Sequence, residues 1–176
     1  MVEITDLYKT FGKNKVLNGI NLTIKEGGIF AVLGPNGSGK TTIIKSILGM
    51  VIPDKGDIKV FDTSIKNNSE YRHKIDYLPQ IANFPSNLKV NELIKMIKDL
   101  RGNTDLDKDL IETFKLEPFL NKKLGTLSGG TKQKVNILLT FMFNSPIIIL
   151  DEPTTGLDPI SLIRLKELIE AEKAKG

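Results

Sequence analysis

Apolar and polar residues alternate from the start of the chain: Val2 and Ile4, then Ile20, Leu22 and Ile24, with Gly12 and Gly27-Gly28 as breaks. Period-two alternation interrupted by turn residues predicts a small antiparallel sheet within residues 2–33. The pattern then changes. Ile29 to Leu33 is a continuous apolar run that reads as a buried strand, and Ile43, Ile44, Ile47 and Leu48 mark one side of a helix that stops at Gly49 and packs on a central sheet. Short strands follow at Asp57 to Phe61 and Ile75 to Leu78, separated from the first helix by the turn Pro53-Asp54-Lys55-Gly56.

Between Phe84 and Asn144 the period becomes helical. Val90, Leu93, Ile94, Ile97 and Leu100 recur at spacings of three and four, and Leu106, Leu110 and Phe114 mark a second helix with Thr104 and Asp107 as a capping box. A third segment is polar at Lys132, Gln133 and Lys134 and apolar on all sides from Ile137 to Phe143, which predicts a helix exposed at its start and buried at its end. Ile147 to Leu150 then reads as a strand in the middle of a parallel sheet. Leu162, Leu165, Leu168 and Ile169 line a last helix.

Composition narrows the class more than the chemistry. The 176 residues are 40% apolar, enough for the core of one ordinary domain. Lys and Arg number 25 against 21 Asp and Glu, a net charge of +4 without a long basic block, so no nucleic-acid partner is expected. The absence of cysteine excludes disulfides and thiolate metal sites. The acidic N-terminus does not resemble a signal peptide, and the run from Ile137 to Phe143 is far short of the ~20 residues of a membrane span. A cytoplasmic protein, carried to any membrane by a partner, is the expectation. His73, the single histidine, sits among Tyr71, Arg72 and Lys74 and reads as a solvated surface residue.

Chemistry enters with Gly34-Pro35-Asn36-Gly37-Ser38-Gly39-Lys40-Thr41-Thr42. Glycines between a strand and a helix can adopt positive φ, turning backbone N–H groups toward one anion at the positive end of the helix. Lys40 reaches the β- and γ-phosphates in such a cradle, and the Thr41 hydroxyl meets magnesium. About a hundred residues later an apolar strand ends in Asp151-Glu152, at the edge where open α/β sheets bind ligands. Cradle and carboxylates together make the two-part site of a nucleoside triphosphatase, with Asp151 holding magnesium and Glu152 receiving a proton or hydrogen bonds from the attacking water. Three residues keep two readings each. Gln80 is a loop residue or an amide bridging metal, water and a moving segment; Phe11 is a plug at a strand end or an aromatic face for a purine; Asp158 before Pro159 is a helix cap or a site residue.

The cradle, Tyr77-Leu78-Pro79-Gln80, Leu127-Ser128-Gly129-Gly130, Ile147 to Pro153 and Thr155-Gly156-Leu157-Asp158, in this order, closely resemble the nucleotide-binding subunit of ATP-binding cassette (ABC) transporters over essentially the whole chain. The resemblance implies a P-loop NTPase of ABC type. Its α/β fold has a mostly parallel central sheet, an N-terminal antiparallel β subdomain and an α-helical insertion at about 84–144, between the Gln80 loop and the 147–152 strand. It also implies that Phe11 stacks on adenine, that Gln80 belongs to the loop that senses a permease, and that Lys40, Gln80 and Glu152 serve hydrolysis of ATP with Mg2+ on Thr41, Gln80 and Asp151. In a head-to-tail dimer with a second ABC ATPase subunit, Ser128, Gly129 and Gly130 meet the other subunit's γ-phosphate and Asp158 crosses the interface. The complex then drives a transmembrane permease from the inner face of the cell membrane.

Three departures qualify this. Thr131 stands where the family most often has glutamine, and Gly28 where an acidic residue is common. The sequence ends at Gly176, one helix after Asp158, before the further strands and switch histidine of the family, and His73 is not that residue by position. A single cassette lacking its C-terminal strands is expected, weakly active and with an exposed sheet edge. Two other readings follow from the same motifs: a soluble ABC ATPase unconnected with transport, and a nucleotide-binding fragment with little turnover. The stretch Gly49-Met50-Val51-Ile52-Pro53 looks similar to bacterial exporter-type cassettes.

Overall fold

The computed structural model describes residues 1–102 and 108–175, which divide into two compact units, Met1–Arg72 with Glu172–Gly176, and His73–Ala171. The expected capping residues Thr104 and Asp107, and Leu106, lie outside the described residues.

The first unit is built on an antiparallel sheet of order β2-β1-β3-β4, from β1 (Val2–Phe11), β2 (Asn14–Ile24), β3 (Lys55–Val60) and β4 (Thr63–Ser64). Val2 pairs with Ile24 on one side and Val60 on the other, and Ile4 with Leu22 and Ile58. This register puts the alternating apolar residues on one face, where Val2, Ile4, Leu7, Leu17, Ile58 and Val60 are buried. Helix α1 (Lys40–Ile47) follows the glycine loop, with Leu48 as its cap and Gly49 at φ 68, where the sequence places the stop.

The run Ile29 to Leu33 corrects the expectation of a buried strand. It is irregular, with Ile29, Phe30, Val32 and Leu33 exposed, Leu33 at 89%. A strand needs a neighbouring ladder as well as β-favouring side chains, and among the described residues neither sheet pairs with this stretch.

In the second unit, β5 (Ile75–Leu78) and β6 (Ile147–Leu150) form a parallel pair in register, from Ile75 opposite Ile147 to Leu78 opposite Leu150. β6 is half-buried rather than central, because among the described residues it ladders with β5 alone. Helices α2 (Val90–Arg101), α3 (Lys108–Thr113) and α4 (Gly129–Phe141) lie between these strands in sequence, and α5 (Pro159–Lys175) follows β6. One core joins Leu78, Val90, Leu93, Ile94, Phe114, Leu124, Val135, Ile137, Leu138 and Leu165. α4 is mostly buried from Val135 to Phe141, as the sequence predicts, but its expected exposed start is corrected: Lys132 and Lys134 are half-buried and Gln133 is buried.

α2 is tied to β5 at its last turn. The Arg101 guanidinium pairs with the buried Asp76 carboxylate, donates to the backbone carbonyls of His73 and Ile75, and lies 4.9 Å from the centre of the Phe143 ring. His73 itself is exposed. No helix among the described residues is long and apolar enough to cross a membrane.

Candidate nucleotide site

The glycine loop belongs to the first unit. Gly37 has φ 80 and Gly39 φ 94, the left-handed region that costs glycine least. Gly39 is also crowded: a Cβ there would stand 3.0 Å from the Val16 carbonyl oxygen and 3.0 Å from a Leu17 methyl group, so the loop enters α1 pressed onto β2. Lys40 Nζ donates to the carbonyls of Gly34 (2.7 Å) and Pro35 (2.8 Å), bending the ammonium over the loop that precedes it. The first intrahelical bond of α1 runs from Ile43 N–H to Gly39, and Gly39 offers no side-chain cap. The N–H groups of Lys40, Thr41 and Thr42 therefore have no partner within the helix, beside a cation, which fits a phosphate. Gly34, Pro35, Asn36 and Ser38 complete the exposed loop.

Phe11 closes β1 opposite Asn14 and is 48% exposed, which corrects the reading of it as a hydrophobic plug. Its surroundings were not legible in sequence. Lys9 Nζ stands 5.4 Å from the ring centre while bonding Asp54 (2.9 Å) and the Ile52 carbonyl (2.7 Å), and Thr10 N–H donates to the other Asp54 oxygen. The hydrogen bond from Lys9, then that from Thr10, holds the Asp54 carboxyl below its ordinary range.

The carboxylates belong to the second unit. Because Leu78 is opposite Leu150, the next residues leave the sheet in step, and Gln80 Nε2 donates to Glu152 Oε2 at 2.6 Å. Glu152 has φ 47, a left-handed conformation that costs a side-chain-bearing residue about 1–3 kcal/mol and recurs at functional sites. Asp151 is 6% exposed, and its N–H continues the ladder to Leu78. The Tyr77 hydroxyl is pushed above its ordinary pKa, first by burial and then by the Asp151 carboxylate it faces.

Ser128 caps α4: its Oγ accepts from Thr131 N–H (3.2 Å) and shares a 2.8 Å hydrogen bond with Thr131 Oγ1. Thr131 thus engages Ser128 through both its backbone N–H and its hydroxyl. Gly129 and Gly130 form the first turn, and Gly130 touches the next loop so closely that a Cβ would meet the Gly156 carbonyl oxygen at 2.8 Å. Asp158 accepts from Ser161 N–H (2.9 Å) and Oγ (2.8 Å) at the start of α5, and Lys134 Nζ reaches it at 2.7 Å. These contacts, Lys134 foremost, hold Asp158 well below the usual carboxylate range. Asp158 is therefore a helix cap, the first of its two readings.

Within the second unit the fold brings Gln80 to Glu152 and Gly130 to the loop ending at Asp158. Among the described residues no three His, Cys, Asp or Glu cluster as a metal site, and the expected magnesium set of Thr41, Gln80 and Asp151 has one carboxylate. Gln133, expected in an exposed polar start, is 4% exposed; Asn136 and Thr140 on the same side of α4 are the sequence signal of this buried polar face.

Comparison with known proteins places these elements in one family. The family described as ABC transporter matches residues 17–155. The bacitracin transport ATP-binding protein of Bacillus licheniformis is 32% identical over 174 residues, covering 97% of this chain and 57% of that protein, so the chain spans little more than half that relative's length. A solved ATP-binding subunit of an ABC transporter superposes with a TM-score of 0.91 at 31% identity, over 99% of this chain and 75% of that one. A dimeric ATP-binding cassette in a post-hydrolysis state, bound to ADP and Pi, gives 0.88 at 26% identity, over 99% and 84%.

Proposed function

The chain belongs to the ABC transporter family, and from that premise we propose that it is the ATP-binding and ATP-hydrolysing part of a cassette that powers a membrane transporter. The observation that carries this reading is the Gln80–Glu152 hydrogen bond, which sets an amide against a strained carboxylate beside the buried Asp151.

The loop residues Gly34 to Thr42 bind the triphosphate through backbone N–H groups, Lys40 exchanges its loop carbonyls for phosphate oxygens, and Phe11 offers its ring to adenine. The Thr41 hydroxyl, Asp151 and the Gln80 amide are the groups that would hold Mg2+, which would supply charge neutralisation to the phosphates. With the amide nitrogen of Gln80 engaged by Glu152, Oε1 is the atom that would be left for a cation. Glu152 orients the attacking water and accepts its proton. Ser128, Gly129, Gly130 and Asp158 face a second copy in a head-to-tail dimer, a reading supported by the dimeric cassette among the solved relatives. A permease docked at the Gln80 loop places the assembly on the cytoplasmic face of a membrane, a reading supported by the relative's description as a bacitracin transport ATP-binding protein.

The test is nucleotide binding and magnesium-dependent phosphate release by the purified chain. A fluorescent ATP analogue binds the wild type and is lost from Lys40→Ala. Equal affinity in the two proteins would mean that the cradle is not a nucleotide site.

A further inference from the structure

Three polar side chains of α4, Gln133, Asn136 and Thr140, are almost fully buried, at 4%, 4% and 3% exposure. Their spacing puts them on one face of the helix. Buried polar groups need partners, and these reach β5 and the segments that follow β5 and β6, which carry the proposed catalytic pair. Thr140 Oγ1 donates to the Asn136 carbonyl within α4 at 2.9 Å and lies 3.4 Å from the Tyr77 carbonyl, inside β5. Asn136 Nδ2 donates to the Pro79 carbonyl at 3.1 Å, and Gln133 Nε2 to the Pro153 carbonyl at 3.3 Å. Asn136 also donates to Gln133 Oε1 at 3.4 Å, linking the two amides.

The acceptors are telling. The parallel ladder extends to Leu78 and Asp151, so the carbonyls of Pro79 and Pro153 emerge where the sheet supplies no further donor. Pro79 immediately precedes Gln80, and Pro153 immediately follows Glu152. The two amides of α4 thus hold the backbone immediately before Gln80 and immediately after Glu152.

We propose that Gln133 and Asn136 are positioning residues for hydrolysis, holding Gln80 and Glu152 at hydrogen-bonding distance through the carbonyls of Pro79 and Pro153. The proposal rests on the reading of Gln80 and Glu152 as the hydrolytic pair. It makes α4 a two-ended element: its first turn presents Ser128 to Gly130, and its next two turns set the geometry of the water-orienting groups. A shift of α4 along its axis is then transmitted to the 2.6 Å contact between Gln80 and Glu152.

The experiment compares the full chain with Asn136→Leu, Gln133→Leu and Thr140→Val, the last removing the hydroxyl beside the Asn136 and Tyr77 carbonyls without touching Pro79 or Pro153. Asn136→Ala stands in if the leucine variant does not fold. The Gln80 side-chain amide is followed by 15N–1H NMR, and ATP turnover is measured in parallel. Losing either amide returns the Gln80 protons to the shifts and fast exchange of a free glutamine and lowers kcat about 10- to 100-fold with KM for ATP unchanged. Thr140→Val leaves the resonance in place. Gln80 signals unchanged in both Asn136 and Gln133 variants, or moved as far by Thr140→Val, overturn the proposal. A wild type that binds and hydrolyses no ATP overturns instead the functional reading, while the Gln80 resonances still decide whether α4 holds the pair.

Discussion

Gln80 and Glu152, separated by 72 positions in the chain, meet at 2.6 Å because β5 and β6 run parallel in register and release them at the same edge. The amide donates and the carboxylate accepts, which keeps Glu152 an acceptor for a water proton on its remaining lone pairs.

Glu152→Gln preserves the shape of the side chain and removes its basicity. Phosphate release is expected to fall about 10²- to 10⁴-fold, the range for a general base, while binding of the ATP analogue persists. Stopped-time phosphate assays with binding measured on the same samples check this. Loss of binding equal to the loss of turnover would place Glu152 in nucleotide retention instead.

Gly39→Ala tests the cradle. The substitution forces φ 94 on a residue with a Cβ and sets that Cβ 3.0 Å from the Val16 carbonyl oxygen. A destabilisation of about 1–3 kcal/mol is expected, read as a lower midpoint in urea, together with weakened ATP binding. Gly37→Ala also has positive φ, but nothing stands within 4 Å of its added Cβ, so it is expected to be milder.

Arg101→Met leaves the Asp76 carboxylate buried without its guanidinium. Breaking such a pair costs about 3 kcal/mol, and Asp76→Leu combined with Arg101→Met is expected to recover most of it. Denaturant unfolding of the two single variants and the double variant measures the coupling. A loss in Arg101→Met that persists undiminished in the double variant, with Asp76→Leu alone losing little, would mean that packing on Phe143, not the ion pair, is the contribution.

Asp158 carries the clearest pH dependence. Its pKa is lowered in the folded chain, first by the hydrogen bond from Lys134 and then by those from Ser161. A carboxylate of this kind contributes its stabilisation fully above the unfolded value of about 3.9, and that contribution is lost as pH falls below it toward the folded pKa. Carbon NMR of the Asp158 carboxyl is expected to show a midpoint below that value, moving upward in Lys134→Met. An unchanged midpoint in that variant would assign the effect to the helix cap alone.

Much of the fold follows from local pattern. The alternation of Val2 and Ile4 with Ile20, Leu22 and Ile24 specifies which face of the hairpin is buried, because a one-residue slip would expose every one of them. Ile75 to Leu78 and Ile147 to Leu150 coincide with β5 and β6. The run Ile29 to Leu33 shows the limit. Its residues favour a strand as strongly as Ile147 to Leu150 do, yet strand formation depends on a partner ladder that no local pattern encodes.

The candidate site divides the same way. The sequence by itself determined which residue types are available: glycines with lysine and threonine at the start of α1, two carboxylates after an apolar strand, and a serine-glycine-glycine start to α4. Only the tertiary structure decided that Gln80 bonds Glu152, that Lys134 holds Asp158, and that Gln133 and Asn136 bind the carbonyls of Pro153 and Pro79. Hydrogen bonds are short-ranged and directional, so their partners depend on strand register and helix placement, which residues distant in the chain settle together.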